Sequence, residues 1–344
     1  MSKKVKFVMV GFGNMGRDWA DILKSHNDAE IVGVVDVIDK SLVDAAKILK
    51  LDKNAVRKDI KEVLKYTKPD AVLDTSPPFN HSFVTTTAIK MGFHVLGEKP
   101  IALNIPDAKR IVKLSQKSKK IYMINQNYRW NPAVQALKKF ILTNNIGKIH
   151  SITINYAQNF NFKDTFRYNI DHPLLLDMSI HHFDLVRSIT NAKFLSVYCK
   201  EFNTPMSKFK NGSSAIAAFE MDNGIVFNYT GSWSDIGFDT SFMGTWRISG
   251  EKGTIVWDGY SNPKVQLKKN NKVISKEITL SQKQAISDEK IFAYELNNSL
   301  SKFVASIKTK TIPETWCGDN IYTLKMALSA IESSKKAMPI NNQL

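Results

Sequence analysis

The sequence predicts an α/β protein: an N-terminal, doubly wound parallel sheet, then an α+β domain on a large, mostly antiparallel open sheet. Three observations predict it. Over the first 125 residues short apolar runs alternate with amphipathic stretches, the pattern of βαβ units. A glycine-rich turn stands between the first apolar run and the first helical pattern. Beyond about residue 127 the runs alternate apolar and polar positions, as strands with one solvated face do. At about 150 residues per domain, 344 residues allow two.

The elements follow in order. Strands are expected at Val5–Val10, 31–35, 71–73, 94–96 and 121–124, which are β-branched and lack alternation. The basic start before Val5 resembles a secretion signal. Yet no small-residue cleavage site follows, so the run reads as a first strand and the protein as cytoplasmic. Met15, Trp19, Ile22 and Leu23 share one helical face. Ala108, Ile111, Val112 and Ser115 share another, behind Asn104 as N-cap and Pro106 in the first turn. In the second half, helices are expected at Pro132–Leu142 and 176–189, with a strand at 148–156 between them. Strands follow at 195–200, 215–219, 225–231, 245–248, 254–257, 265–267 and 273–278. The Asn223-Gly224 and Asn270-Asn271 pairs suit antiparallel hairpins. Helices at 291–306 and 321–337 close the chain. The domains are expected at 1–126 and 127–344, with the last helix packing back on the first domain.

Composition excludes several classes. Cys199 and Cys317 are far apart and in no metal-ligand spacing, which argues against a disulfide scaffold or zinc ribbon and for a reducing compartment. No apolar run approaches the ~18 residues of a membrane span. The net charge of +16 invites a nucleic-acid reading, but only seven of the 48 basic residues are Arg and the lysines are dispersed. Base and phosphate readout favours Arg, so a solvated lysine-rich surface is expected instead.

Four motifs carry chemistry. The first is Gly11-Phe12-Gly13-Asn14-Met15-Gly16. Gly11 permits the tight turn, Gly13 lets a pyrophosphate approach, and Gly16 lets helix and strand pack, the Rossmann dinucleotide pattern. Asp36, 20 residues past Gly16 and followed by Val37, ends the second strand. Its carboxylate suits both ribose hydroxyls and repels a 2′-phosphate, and no Arg adjoins it, so NAD is favoured over NADP. The second is the loop Thr75-Ser76-Pro77-Pro78-Phe79-Asn80-His81, expected to line the cofactor groove at a strand's carboxyl end unless His81 simply caps the next helix. The third is Gly97-Glu98-Lys99-Pro100 at the edge of the same crevice. Lys99 there can hold a substrate oxygen or act as a base, although a lysine at a strand end is commonplace. The fourth is Asp177-Met178-Ser179-Ile180-His181-His182-Phe183-Asp184. At helical spacing Asp177, His181 and Asp184 share a face, a carboxylate–imidazole set suited to proton transfer. A structural histidine, a metal site, or an Asp184–Arg187 pair are the competing readings.

Taken together, Gly11–Gly16, Pro77 with His81, Glu98-Lys99-Pro100, Asn127-Tyr128-Arg129 and Asp177…His181…Asp184 resemble the Gfo/Idh/MocA oxidoreductases. The resemblance covers essentially the whole chain. It implies NAD- or NADP-dependent hydride transfer to or from a sugar, cyclitol or related polyol. It implies Lys99 at the reacting oxygen, His181 as acid/base, and Asp177 orienting it or binding a neighbouring hydroxyl. Ser76, Pro77, Asn80, His81, Glu98, Lys99 and Asn127 join the glycine turn, Asp36 and Val37 as cofactor contacts. Arg167, His182 and polar residues of 156–167 are the expected substrate contacts, and no metal is expected. Two departures stand out: Ser179 where the family often has Gly, and His172-Pro173-Leu174-Leu175-Leu176 where many members are Gly-rich. NAD-dependent glycoside hydrolysis and a non-catalytic NAD-binding regulator are the alternatives; Lys99, Asp177 and His181 argue against the second. The open sheet, with apolar residues around Trp233 and Trp246 on its uncovered face, implies a dimer or tetramer.

Overall fold

The computed structural model describes residues 3–159, 161–162, 166–280 and 288–342. Six strands form the first sheet: β1 (Val5–Val10), β2 (Ala29–Val35), β3 (Val56–Arg57), β4 (Ala71–Asp74), β5 (His94–Gly97) and β6 (Tyr122–Ile124). All pairings are parallel, in the order β3-β2-β1-β4-β5-β6. The chain starts at the centre and winds outward on both sides. The winding reverses between β1 and β4, and ligands of open α/β sheets bind beyond the strand ends at such a reversal. Helices α1 (Asn14–Ser25), α2 (Asp39–Leu49), α3 (Ile60–Thr67), α4 (Pro78–Lys90) and α5 (Ile105–Ser118) lie along the connections. The two-residue β3 has no counterpart in the sequence reading, because it is too short to show a period.

The second half begins with α6 (Pro132–Leu142), β7 (Ile149–Ala157) and the short α7 (Phe166–Asn169). A wide, π-helical turn over Leu174–Met178 runs into α8 (Ser179–Thr190). Then come β8 (Phe194–Phe202), β9 (Ser214–Met221), β10 (Val226–Ser232), β11 (Thr245–Gly250), β12 (Gly253–Trp257), β13 (Lys264–Lys269) and β14 (Lys272–Glu277). Helices α9 (Asp288–Thr309) and α10 (Cys317–Lys336) and the two-residue β15 (Ile340–Asn341) complete it. The sheet order is β14-β13-β12-β11-β7-β10-β9-β8-β15. Among the described strands of this second sheet only β7 with β10 pairs in parallel. Asn270 and Asn271 both take positive φ (50° and 61°), as a two-residue hairpin turn requires.

The inner face of this sheet packs on α8: the Phe183 ring meets Phe219 at 5.0 Å and Tyr229 at 5.2 Å between centroids. The outer face corrects one expectation. Trp233 and Trp246 are both 4% exposed, because strand alternation turns Trp246 and Ile248 inward and Thr245 and Arg247 outward. The outward rows are largely polar: Thr153 lies between Asn228 and Arg247, and Asn155 between Thr230 and Thr245.

Two compact units result, Met1–Trp130 with Ser287–Ile321, and Asn131–Ile286 with Tyr322–Leu344. The grouping differs from a single cut after residue 126. Helix α9 belongs with the first unit because Leu296, Leu300, Phe303 and Val304 complete its core with Phe7, Met9 and Trp19.

Candidate active site

The dinucleotide cradle comes from the turn between β1 and α1. Gly11 has φ +94°, and a Cβ there would lie 2.8 Å from the Thr75 carbonyl oxygen. A Cβ on Gly16 would lie 2.3 Å from the Gly11 carbonyl oxygen, so any side chain would drive α1 off the sheet. A Cβ on Gly13 would meet nothing within 4 Å. The protein's own packing therefore does not require that glycine, whereas a phosphate approaching the turn would. Phe12 is buried, Asn14 and Met15 open α1, and α1 has no side-chain cap, so its first amides suit an anion.

Asp36 follows β2. Its Oδ2 accepts the Phe12 amide at 2.7 Å and its Oδ1 the Ile38 amide at 2.8 Å. A carboxylate has about four acceptor positions, so this one is aimed by the main chain and still suits a diol. Val37 beside it is exposed. Arg17 is held by Asp44 at 2.7 Å. The residues present fit NAD.

The loop after β4 is shorter than expected. Pro78 takes the first helical position, where its fixed φ suits a helix start, so Asn80 and His81 lie in the first turn of α4 behind Pro77. Asp74 is fully buried, and its Oδ1 accepts from the Ser76 amide (3.0 Å) and hydroxyl (2.6 Å). Burial pushes the Asp74 carboxyl above the usual range against the opposing pull of His81. His81 is a correction: it is 1% exposed, and its two ring nitrogens meet the carbonyl oxygens of Ser76 and Pro100, each at 2.8 Å. It faces main chain rather than ligand.

Glu98 and Asn127 are also drawn inward. Glu98 Oε1 accepts from the Trp19 indole at 2.8 Å and from Asn125 Nδ2 at 2.9 Å. Asn127 Nδ2 donates to Glu295 at 2.7 Å. Lys99 is half-buried at the end of β5, joined to Pro100 by a cis peptide bond.

In the second unit the motif helix is buried on all sides. Among residues 179–189 only Ser188 reaches intermediate exposure, and His181 is 6% exposed. Asp177 lies in the wide turn, and its Oδ2 accepts from Arg167 Nε at 2.9 Å. Two of the expected ligand contacts, Arg167 and Asp177, thus form one pair. His182 corrects another expectation. It is fully buried, with Nε2 3.0 Å from the Phe242 carbonyl oxygen and Nδ1 3.2 Å from the Tyr229 hydroxyl. Burial pushes its pKa down to about 4, so it is a neutral core histidine rather than a substrate contact. Asp184 accepts from the Thr323 hydroxyl at 2.9 Å, and Arg187 donates to the same oxygen at 2.9 Å. Residues 160 and 163–165 of the stretch expected to touch substrate lie outside the described residues.

The profile of an oxidoreductase family with an NAD-binding Rossmann fold, GFO_IDH_MocA, matches residues 5–126, and that of the GFO/IDH/MocA C-terminal domain matches residues 134–256. The chain belongs to the Gfo/Idh/MocA oxidoreductases. It is 29% identical over 195 residues to myo-inositol 2-dehydrogenase of Thermotoga maritima, covering 55% of this chain and 56% of that one. It is 25% identical over 198 residues to glucose-6-phosphate 3-dehydrogenase of Bacillus subtilis, covering 56% and 55%. The chain thus spans little more than half the length of these two dehydrogenases. A solved Agrobacterium radiobacter oxidoreductase, in complex with NAD+, L-tartaric acid and magnesium, has the same fold (TM-score 0.87, 18% identity, 98% of each chain).

Both departures of this Gfo/Idh/MocA chain have local explanations. The Ser179 hydroxyl donates to the Tyr229 oxygen at 3.0 Å, which in turn contacts His182. His172 takes φ 57° and pairs with Glu201, directly before Pro173 starts the helical segment. Sequence reasoning missed Asn125, Tyr229, Glu295 and Thr323, whose partners are remote in sequence, and Asp74, which is held by the neighbouring Ser76. One signal existed: a buried Trp19 needs an acceptor for its indole N–H.

Proposed function

We propose that the chain is a dehydrogenase moving hydride between NAD and a carbinol carbon of a sugar, cyclitol or related polyol. The observation that carries this reading is that one chain holds both a cradle aimed at a dinucleotide ribose by Asp36 and a buried helix bearing His181 behind the Arg167–Asp177 pair. The inositol and sugar-phosphate dehydrogenases among its relatives support the substrate class. NAD, when bound, supplies the hydride acceptor or donor at its nicotinamide ring.

The chain's own part is binding, alignment and proton handling. The Lys99 ammonium holds the reacting oxygen. His181 takes the hydroxyl proton in the oxidation direction and returns it in reduction. Asp177, aimed by Arg167, orients the imidazole or a neighbouring hydroxyl. The free, buried Cys199 and Cys317 suit a reducing cytoplasm. Among the described residues no helix is long and apolar enough to cross a membrane. The chain self-associates as a dimer or tetramer through the outer face of its second sheet.

The test is turnover with polyol substrates. Lys99→Met and His181→Asn each lower it by roughly 10²–10⁴, while NAD affinity stays close to wild type because neither residue forms the cradle. The oxidation rate rises with pH, since the base must be unprotonated, and that limb disappears in His181→Asn. A limb that survives there but is lost in Lys99→Met exchanges the two roles. Unchanged turnover in both variants overturns the reading, and hydrolysis of glycosides without net reduced cofactor favours the hydrolase instead.

A further inference from the structure

A continuous polar chain runs under the cradle in the first unit. The Gly11 carbonyl oxygen accepts the Thr75 hydroxyl at 2.8 Å, and the Thr75 amide donates to the Val10 carbonyl oxygen at 2.8 Å. Ser76 is next, fixed through its amide and hydroxyl to Asp74. The Ser76 carbonyl oxygen meets His81 Nε2, and His81 Nδ1 meets the carbonyl oxygen of Pro100, directly after Lys99. Asp74 closes the loop from the other side, its carbonyl oxygen accepting the Glu98 amide at 2.9 Å. At 1% exposure, water cannot replace what the ring supplies.

We propose that His81 is a positioning residue for Lys99, a two-sided clasp that ties the main chain after β4 to the main chain after β5. The proposal rests on the dehydrogenase reading above. Both partners are carbonyl oxygens, which only accept, so both bonds form only when the ring carries hydrogens on both nitrogens. Desolvation pushes the buried Asp74 carboxyl up, attraction to His81 opposes that rise, and Glu98 is the other acid acting at Asp74. Through the clasp the glycine turn and Lys99 share one frame. Without it the turn keeps its own bonds to Thr75 and Glu98 its bond to Asp74, while the main chain just after Lys99 loses its tie through Pro100.

His81→Gly tests this by chemical rescue. Turnover falls by about 10²-fold, the scale for a misplacement of ~1 Å at a reacting group, and NAD affinity, read by tryptophan fluorescence, stays near wild type. Added imidazole, whose protonated form donates from both nitrogens, restores turnover. Added 1-methylimidazole, of the same ring shape with one nitrogen blocked, does not. Equal rescue by both, or unchanged turnover in the variant, overturns the clasp. A second measurement needs no variant to fold: nitrogen-15 spectra of the wild-type ring, assigned against His81→Gln, show N–H hydrogens on both nitrogens. A single N–H overturns the proposal. The two failures separate cleanly. Loss of the Lys99 assignment appears in Lys99→Met, whereas loss of the clasp appears in the ring signal with Lys99 untouched.

Discussion

Asp36 shows how one residue sets a preference. The Phe12 and Ile38 amides hold its carboxylate in place, so little ordering remains to be done when a ribose arrives, and preorganised groups bind better for that reason. A 2′-phosphate would meet a fixed negative charge. NAD is expected to bind at least about tenfold more tightly than NADP, ~1.4 kcal/mol. Asp36→Ser narrows the ratio of dissociation constants, and equal wild-type affinities contradict the assignment. The turn and Asp36 were legible in sequence because glycine spacing and strand ends are local. The inward commitment of Glu98 was not. Its partner Trp19 is 79 residues away, and nothing in either segment names the other.

Helix α8 shows the limit of periodicity. A 3.6-residue period places Asp177, His181 and Asp184 on one face. The wide turn, in which the Ser179 amide donates to the Leu174 carbonyl oxygen, breaks that period at Asp177, while His181 and Asp184 keep it within regular helix. Burial on all sides then divides the polar residues among remote partners: Thr323 for Asp184 and Arg187, Tyr229 and Phe242 for His182. A stability prediction belongs here. His182 has a folded pKa of about 4, against about 6.5 when unfolded. As pH falls below 6.5 the unfolded chain binds the proton first, so stability declines between pH 6.5 and 4, by up to about 3 kcal/mol from this residue. Denaturant melts at pH 7 and pH 5 check it. His182→Asn flattens the dependence, leaving the same-sign slope of His94, which burial also pushes down to about 4.

At the scale of the whole molecule the proposed association rests on the nine-stranded sheet. Its outer face carries Tyr198, Ile216, Val226 and Val256, between 42% and 54% exposed, set among serines, threonines and Asn155 and Asn228. A polar face with interspersed apolar side chains suits a second copy of itself, and isologous pairing closes a dimer. Light scattering at micromolar concentration is expected to give a dimer or tetramer, and Ile216→Glu to shift it toward monomer. A wild-type monomer contradicts the proposal. The apolar residues first expected to drive association, Trp233 and Trp246, belong to the core instead.

The sequence by itself determined the parallel sheet, the glycine turn, Asp36, the hairpins and the helical setting of His181. Each is written in neighbouring residues, as a period, a turn type or a spacing. Tertiary structure alone decided that α9 completes the first core, that β7 and β10 pair in parallel, and which polar residues of the motifs turn inward. Glu98, His81 and His182 carry the same chemistry as Asp36 and His181 on paper. Their roles diverge because a buried polar group must find a partner, and that partner comes from whatever segment the fold brings alongside.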